Sequence, residues 1–193
     1  MAIDLAFRRK AVRRLTNEIG CYVLCDLDQT PIYVGQSLDG IRSRVNRHLT
    51  SARSDIIANR HVDIWEIAWV WTYPVESKVD INPLEEALFH EFHPKSALMN
   101  GKVPKPSARL VAVPAPSQKI QVMADDEIRE KKDPALRLPR QAEQYSQIVG
   151  HFLAVKNSKE IALAIKAHFQ RLQKYHRELL RLAEDIEGDS GDE

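Results

Sequence analysis

The stretch Gly20-Cys21-Tyr22-Val23-Leu24-Cys25-Asp26-Leu27-Asp28-Gln29-Thr30-Pro31-Ile32-Tyr33-Val34-Gly35 decides how the rest of the chain folds. Its two ends, 20–25 and 31–35, are short runs of β-branched, aromatic and apolar residues, and polar turn formers fill the gap between them. That pattern predicts an antiparallel hairpin. Immediately downstream, Ile41, Val45, His48 and Leu49 fall on one side of a helix at spacings of four, three and one. In the segment 61–71, Trp65, Ile67, Trp69 and Trp71 share one face at a period of two, with Ile64, Ala68 and Val70 opposite. A largely buried strand is predicted there. Pro83 to Phe92 reads as a helix that opens on proline and closes before Pro94. The order ββαβα over residues 18–102 predicts a small α+β domain, a three-stranded antiparallel sheet flanked by helices.

Outward from this block the chain changes character. Residues 1–17 form a basic helical pattern, with Leu5, Val12 and Leu15 among Arg8, Arg9, Lys10, Arg13 and Arg14. Residues 103–139 contain Pro104, Pro106, Pro114 and Pro116, then a charged run broken by Pro134 and Pro139, and read as a linker and irregular connection. Residues 140–186 read as a helical hairpin. Its first helix carries Ala142, Tyr145, Ile148, Val149 and Phe152, and its second begins at Asn157 with Glu160 three residues on, in the manner of a capping box. That second helix bears Ile161, Ile165, His168, Leu172, Tyr175, Leu179, Leu182 and Ile186 at alternating spacings of four and three. A heptad seam of this kind needs a partner. The 140–155 helix in cis can serve, or a second copy of the chain or another protein can dock through residues 158–186. Residues 187–193 are acidic and expected to be disordered.

The 193 residues, 44% of them hydrophobic, suffice for a core that stands without metal or disulfide staples. No window approaches eighteen uninterrupted apolar residues, and the N-terminus lacks a signal-peptide apolar region. The expectation is a cytoplasmic protein with no membrane segment. Cys21 and Cys25 are too few for a disulfide framework or a cysteine-ligated zinc site. The formal net charge of +1 conceals a gradient: residues 1–61 hold ten Lys and Arg against six Asp and Glu, whereas acids outnumber bases in the remainder. A basic front can line a groove for a polyanion, with Arg42, Arg47, Arg53 and Arg60 as candidate nucleic-acid contacts. Charge alone also allows two amphipathic helices with solvated arginine faces.

Gly20-Cys21-Tyr22 and Tyr33-Val34-Gly35, with ten residues between them, resemble the two half-motifs that name the GIY-YIG nuclease family. The agreement continues downstream. Arg44 lies nine residues after Gly35, His48 follows one helical turn later, Glu85 opens the later helix, and Asn100 stands in Leu98-Met99-Asn100-Gly101. These positions match the family's tyrosine pair, arginine, histidine, glutamate and asparagine in order and approximate spacing. Cys21 and Val34 replace isoleucines, exchanges of one buried apolar side chain for another. The loop from Gly35 to Arg44 is one residue longer than in many relatives, which makes Arg42 a rival to Arg44; pairing with His48 at i+4 favours Arg44. Glu86 is the neighbour of Glu85, rotated by about 100° on the helix, and the offset from Pro94 favours Glu85.

Hydrolysis of a phosphodiester calls for a nucleophilic water, a cation against the charge building on the phosphoryl oxygens, and protonation of the leaving oxygen. A phenol with a pKa of about 10 is roughly one part in a thousand ionised at pH 7, so Tyr22 or Tyr33 serves as base only under the field of nearby cations. Arg44 and a divalent metal would supply that field, and a lone carboxylate suits Mg²⁺ or Mn²⁺ better than an ion that prefers Cys and His. The resemblance implies one-metal hydrolysis of DNA, with RNA left open, in which Glu85 is the single protein ligand, His48 assists proton transfer and Asn100 braces the site. The alternative is a module of the same fold that binds nucleic acid or protein without turnover.

Overall fold

Asp26 closes the hairpin turn: its Oδ1 accepts from the backbone N–H groups of Asp28 at 2.8 Å and Thr30 at 2.9 Å, while Gln29 takes a positive φ of 60°. Short polar side chains that satisfy their own backbone are what make such a segment turn. The computed structural model describes residues 4–50, 61–104, 111–154 and 159–189. In it the hairpin strands are β1 (Gly20–Cys25) and β2 (Pro31–Ser37), preceded by α1 (Leu5–Val12) and followed by α2 (Ile41–Thr50). Then come β3 (Trp69–Pro74), α3 (Ile81–Phe92), β4 (Gln118–Gln121), α4 (Asp125–Lys131), α5 (Pro134–Ala154) and α6 (Lys159–Asp189).

All strand pairings are antiparallel and the order is β2-β1-β3-β4, so β2 is an edge strand. Alternation along β1 sends Tyr22 and Leu24 into one core with Ile41, Val45 and Leu49 of α2. Cys21, Val23 and Cys25 enter a second core with Val34 and with Leu84, Leu88 and Phe89 of α3. Both thiols are buried and free.

The α+β class and the C-terminal helical pair stand as expected, with several local departures, among them the helix α4 in the segment read as irregular connection. The sheet has four strands, because Gln118–Gln121, in a segment read as linker and irregular connection, pairs with β3. Four residues are too few for a period-two pattern to register. The strand expected over 61–71 begins only at Trp69; Asp63 accepts from Trp65 N–H at 3.1 Å and caps a 3-10 turn at Ile64–Glu66 instead. Asp133-Pro134, read as a break, starts α5: Asp133 Oδ1 accepts from Ala135 N–H at 2.9 Å, and proline is at home in a first turn. The helix then continues through Pro139. At the far end α6 runs to Asp189, into the segment expected to be disordered. Asn157, the expected cap, lies outside the described residues.

The heptad seam finds its partner within the chain. Helices α5 and α6 pack together, with Ile148, Ile161 and Ala164 in one buried cluster, and the two polar positions of the seam connect to the first domain, His168 directly and Tyr175 through two arginines. His168 Nε2 donates to the carbonyl of His61 at 2.9 Å. The Tyr175 hydroxyl accepts from Arg137 at 2.6 Å and Arg171 at 2.5 Å. These guanidiniums bridge to the hairpin and the 3-10 turn: Arg137 grips Glu66 through two bonds of 3.2 and 3.0 Å and Asp28 at 2.6 Å, and Arg171 meets Asp26 at 2.7 Å. Buried charges tolerate little misplacement once paired, so this cluster sets the register of the helical pair on the sheet. Arg8 of α1 is also buried, its guanidinium donating to the carbonyls of Ile67 at 3.0 Å, Ile64 at 3.3 Å and Val122 at 3.4 Å. Not all of the basic front is solvated.

Burial holds the His168 imidazole neutral, its pKa lowered to about 4. The unfolded chain protonates such a ring near pH 6.5, so the stability it confers is complete above that value and is lost as pH falls through 4. Urea unfolding should show wild type losing about 2–3 kcal/mol between pH 7.5 and 4.5 from this ring, a loss that His168→Gln removes. An equal pH dependence in both proteins would contradict it.

Candidate active site

Tyr22 and Gly35 are cross-strand partners in the hairpin register. A Cβ built on Gly35 would lie 2.4 Å from Tyr22 Oη and 2.8 Å from Tyr33 Cε1, so only a bare α-carbon lets both rings lie over the strand. Tyr22 is fully buried, and its hydroxyl is 2.6 Å from Nε2 of the equally buried His48. Tyr33, half-buried, completes a triangle of rings, 6.4 Å from Tyr22 and 6.3 Å from His48 between centroids. Helix α2 delivers His48 because Ile41, Val45 and Leu49 are anchored in the core on the same stripe. Arg44 is half-buried one turn before His48.

Glu85 approaches from the other side of β2. It is half-buried on α3, where Gln36 Nε2 donates to its Oε2 at 2.9 Å and to Asn82 Oδ1 at 3.1 Å. Burial pushes the Glu85 carboxyl up to about 7, against the pull of the Gln36 bond, and neighbouring Glu86 adds to the rise. Glu86 has one carboxylate oxygen out of solvent with no hydrogen-bond partner among the described residues.

Asn100 sits on the free edge of β2. The loop after α3 brings it there: Leu98 N–H donates to His93 Nδ1 at 3.2 Å and Met99 N–H to the Ile32 carbonyl at 2.7 Å. Asn100 then pairs with Val34 in both directions, Oδ1 accepting from its N–H at 3.1 Å and Nδ2 donating to its carbonyl at 2.7 Å. The predicted residues thus gather around one edge strand. Tyr22, Tyr33 and His48 cluster on its α2 side, Glu85 is held on its α3 side, and Asn100 caps the margin between. Gln36 was missed by sequence reasoning; the signal was its place directly after Gly35, one residue out of phase with Tyr33. Arg42 is half-buried and Arg47 exposed on α2, while Arg53 and Arg60 lie outside the described residues.

Comparison with known protein families matches residues 18–98 to the GIY-YIG catalytic domain. The chain carries a GIY-YIG catalytic domain. No curated protein and no solved structure matches it. The match takes in the hairpin, α2, β3 and α3, and leaves α1, β4 and α4–α6 outside the GIY-YIG segment. A divalent metal, which the family implies, fits the donor set of this GIY-YIG domain. Glu85 offers hard oxygens on a carboxylate that burial leaves short of solvation, and no cluster of three or more His, Cys, Asp or Glu occurs among the described residues to bind a softer or more fully protein-ligated ion.

Gly35→Ala should lower stability by about 2 kcal/mol in urea unfolding, since the buried Tyr22 ring has no room to yield. A change below about 0.5 kcal/mol would show that the ring can move aside.

Proposed function

We propose that the chain is a metal-dependent endonuclease that hydrolyses phosphodiester bonds in DNA through a single-metal site. The observation that carries this reading is the buried Tyr22–His48 hydrogen bond beside Tyr33, on a strand whose next residue after Gly35 holds Glu85. Tyr22, with no exposed surface, orients His48. Tyr33, the more accessible phenol, lies where it can take a proton from an attacking water, and His48 relays protons behind it. Arg44 opposes the charge that builds on the phosphoryl oxygens. Glu85 would hold the metal, Mg²⁺ or Mn²⁺, which when bound polarises the phosphate and neutralises its charge. Asn100 locks the edge of β2 so that the two sides of the site keep their spacing.

One site cuts one strand, so scission of a duplex needs two copies or two successive events. Tyr175 and the earlier buried seam positions are used within the chain, so self-association through 158–186 would fall to the part of α6 beyond Tyr175 or to its outer face. Among the described residues no helix is long and apolar enough to cross a membrane, and two free buried thiols suit the reducing cytoplasm.

Mg²⁺-dependent nicking of supercoiled plasmid tests the reading. Wild type should nick, EDTA should abolish nicking, and Tyr33→Phe, Arg44→Ala and Glu85→Gln should each slow it by about 100-fold or more. Undiminished cleavage by Glu85→Gln, or an inert wild type that still binds DNA, would leave a binding module in place of an enzyme.

A further inference from the structure

Helix α1 lies outside the GIY-YIG segment, yet it packs against α2, the helix that delivers Arg44 and His48. Between the two helices runs a cleft of about 470 Å³ lined by Arg9 of α1, by Arg13 at its C-cap, and by Arg42, Ser43, Asn46 and Thr50 from α2. Among the described residues no Asp or Glu lines it, although the chain has almost as many acids as bases. Arg9, Arg13 and Arg42 make no ion pair or hydrogen bond through their guanidiniums to any described residue, and Arg42 Nε is shut off from solvent without an acceptor among the described residues. A buried donor without an acceptor is costly, and three uncompensated cations side by side repel one another. An anion in the cleft relieves the repulsion and offers the Arg42 guanidinium an acceptor. The cleft is also held in place: buried Arg8, adjacent to Arg9, fixes α1 to the carbonyls of Ile64, Ile67 and Val122, and Asn17 Oδ1 accepts from Ser43 N–H at 3.1 Å and from its hydroxyl at 3.0 Å.

We infer that this cleft is a phosphate-binding groove for the nucleic-acid strand that leads to or from the GIY-YIG site. Successive residues of a helix turn by about 100°. His48 faces Tyr22 with Arg44 on the same side, Arg42 and Asn46 face α1, and exposed Arg47 stands on the crest between them. A backbone crossing α2 at that crest passes from Arg44 over Arg47 into the cleft. The helix is about 10 Å across, which places the groove within roughly one or two nucleotides of the scissile phosphate along the strand. Guanidiniums present paired donors that match phosphate oxygens, and Ser43, Asn46 and Thr50 add neutral polar groups at the wall. The inference rests on the proposed function only in taking nucleic acid as the ligand. An acidic polypeptide, the other polyanion that could enter, has no such path to the site to follow.

The test is equilibrium binding of a labelled DNA duplex of about 20 base pairs in EDTA, by fluorescence anisotropy between about 50 and 200 mM KCl. Arg9→Ala/Arg13→Ala, two exposed positions, should weaken binding roughly tenfold and reduce the slope of log K against log salt by about 2. Adding Arg42→Ala should reduce the slope by about 1 more. Arg129→Ala, an exposed arginine on α4, should leave it unchanged. Should Arg42→Ala fail to fold, the α1 double variant carries the test alone. An unchanged affinity and slope in Arg9→Ala/Arg13→Ala would overturn the groove even if wild type nicks plasmid. Arginine-dependent duplex binding by a wild type that does not nick would keep the groove and remove the nuclease. Poly-glutamate bound as tightly as the duplex, and lost with the same arginines, would assign the cleft to an acidic polypeptide and overturn the inference.

Discussion

A tyrosine ring occupies the space that Gly35 leaves empty, and the geometry around it depends on that contact. With Tyr22 flat against β2, its hydroxyl is buried at the depth where His48 descends from α2, and the two meet at 2.6 Å. Tyr33 can then share the same face two residues before Gly35, close enough to both rings to be ordered by them. Any side chain at position 35 would displace the phenol, and with it the imidazole that depends on it. A matching constraint falls at Gly20, the first residue of β1, where φ is 147° and a Cβ would lie 2.3 Å from the Tyr73 carbonyl oxygen. One glycine admits the ring, and the other lets β1 approach β3.

The edge position of β2 matters as much. A central strand would have a neighbour on each side, and nothing could reach from one face of the sheet to the other. Among the described residues the margin is closed only by the loop through Met99 and Asn100, so the α2 face and the α3 face meet at an edge with no further strand. The C-terminal helices are attached at the tip of the hairpin and the 3-10 turn by a cluster of buried charges, and Ala167 of α6 packs in the same core as Met99. Such pairs contribute little net stability but specify arrangement, because a shifted guanidinium would strand a carboxylate. Glu66 shows the tension: burial raises its pKa even though two arginines pull the other way.

Much of this was legible in the sequence, for identifiable reasons. The hairpin announced itself because strand formers flank a turn whose residues satisfy their own backbone. Helices α2 and α3 did so because their apolar stripes have the right period, and the six candidate site positions came from the order and spacing of the family's motif, Asn100 lying just beyond the matched segment 18–98. The failures share a different cause. Strand β4 is too short to carry a period, and its existence depends on β3 offering a free edge. The Asp133-Pro134 pair has two opposite meanings, stop and start, and only the packing of the residues downstream selects between them. The heptad seam was visible, yet its partner was not, because His168 is bound by a carbonyl 107 residues away and Tyr175 by arginines whose own partners lie on the hairpin and the 3-10 turn. Arg8 and Arg9 are neighbours with opposite fates, one buried against carbonyls and one lining a cleft, and no local pattern separates them.

The proposed hydrolysis requires the tyrosine–histidine cluster and Glu85 to act on one phosphate across the edge of β2. A crystal structure with Mn²⁺ and a duplex carrying a non-hydrolysable phosphate analogue decides whether they do. The anomalous signal should place the metal on Glu85, with the analogue's oxygen between it and Tyr33, and with Arg44 in contact with the same phosphate. A metal elsewhere, or a phosphate that touches Glu85 without approaching Tyr33, would contradict it.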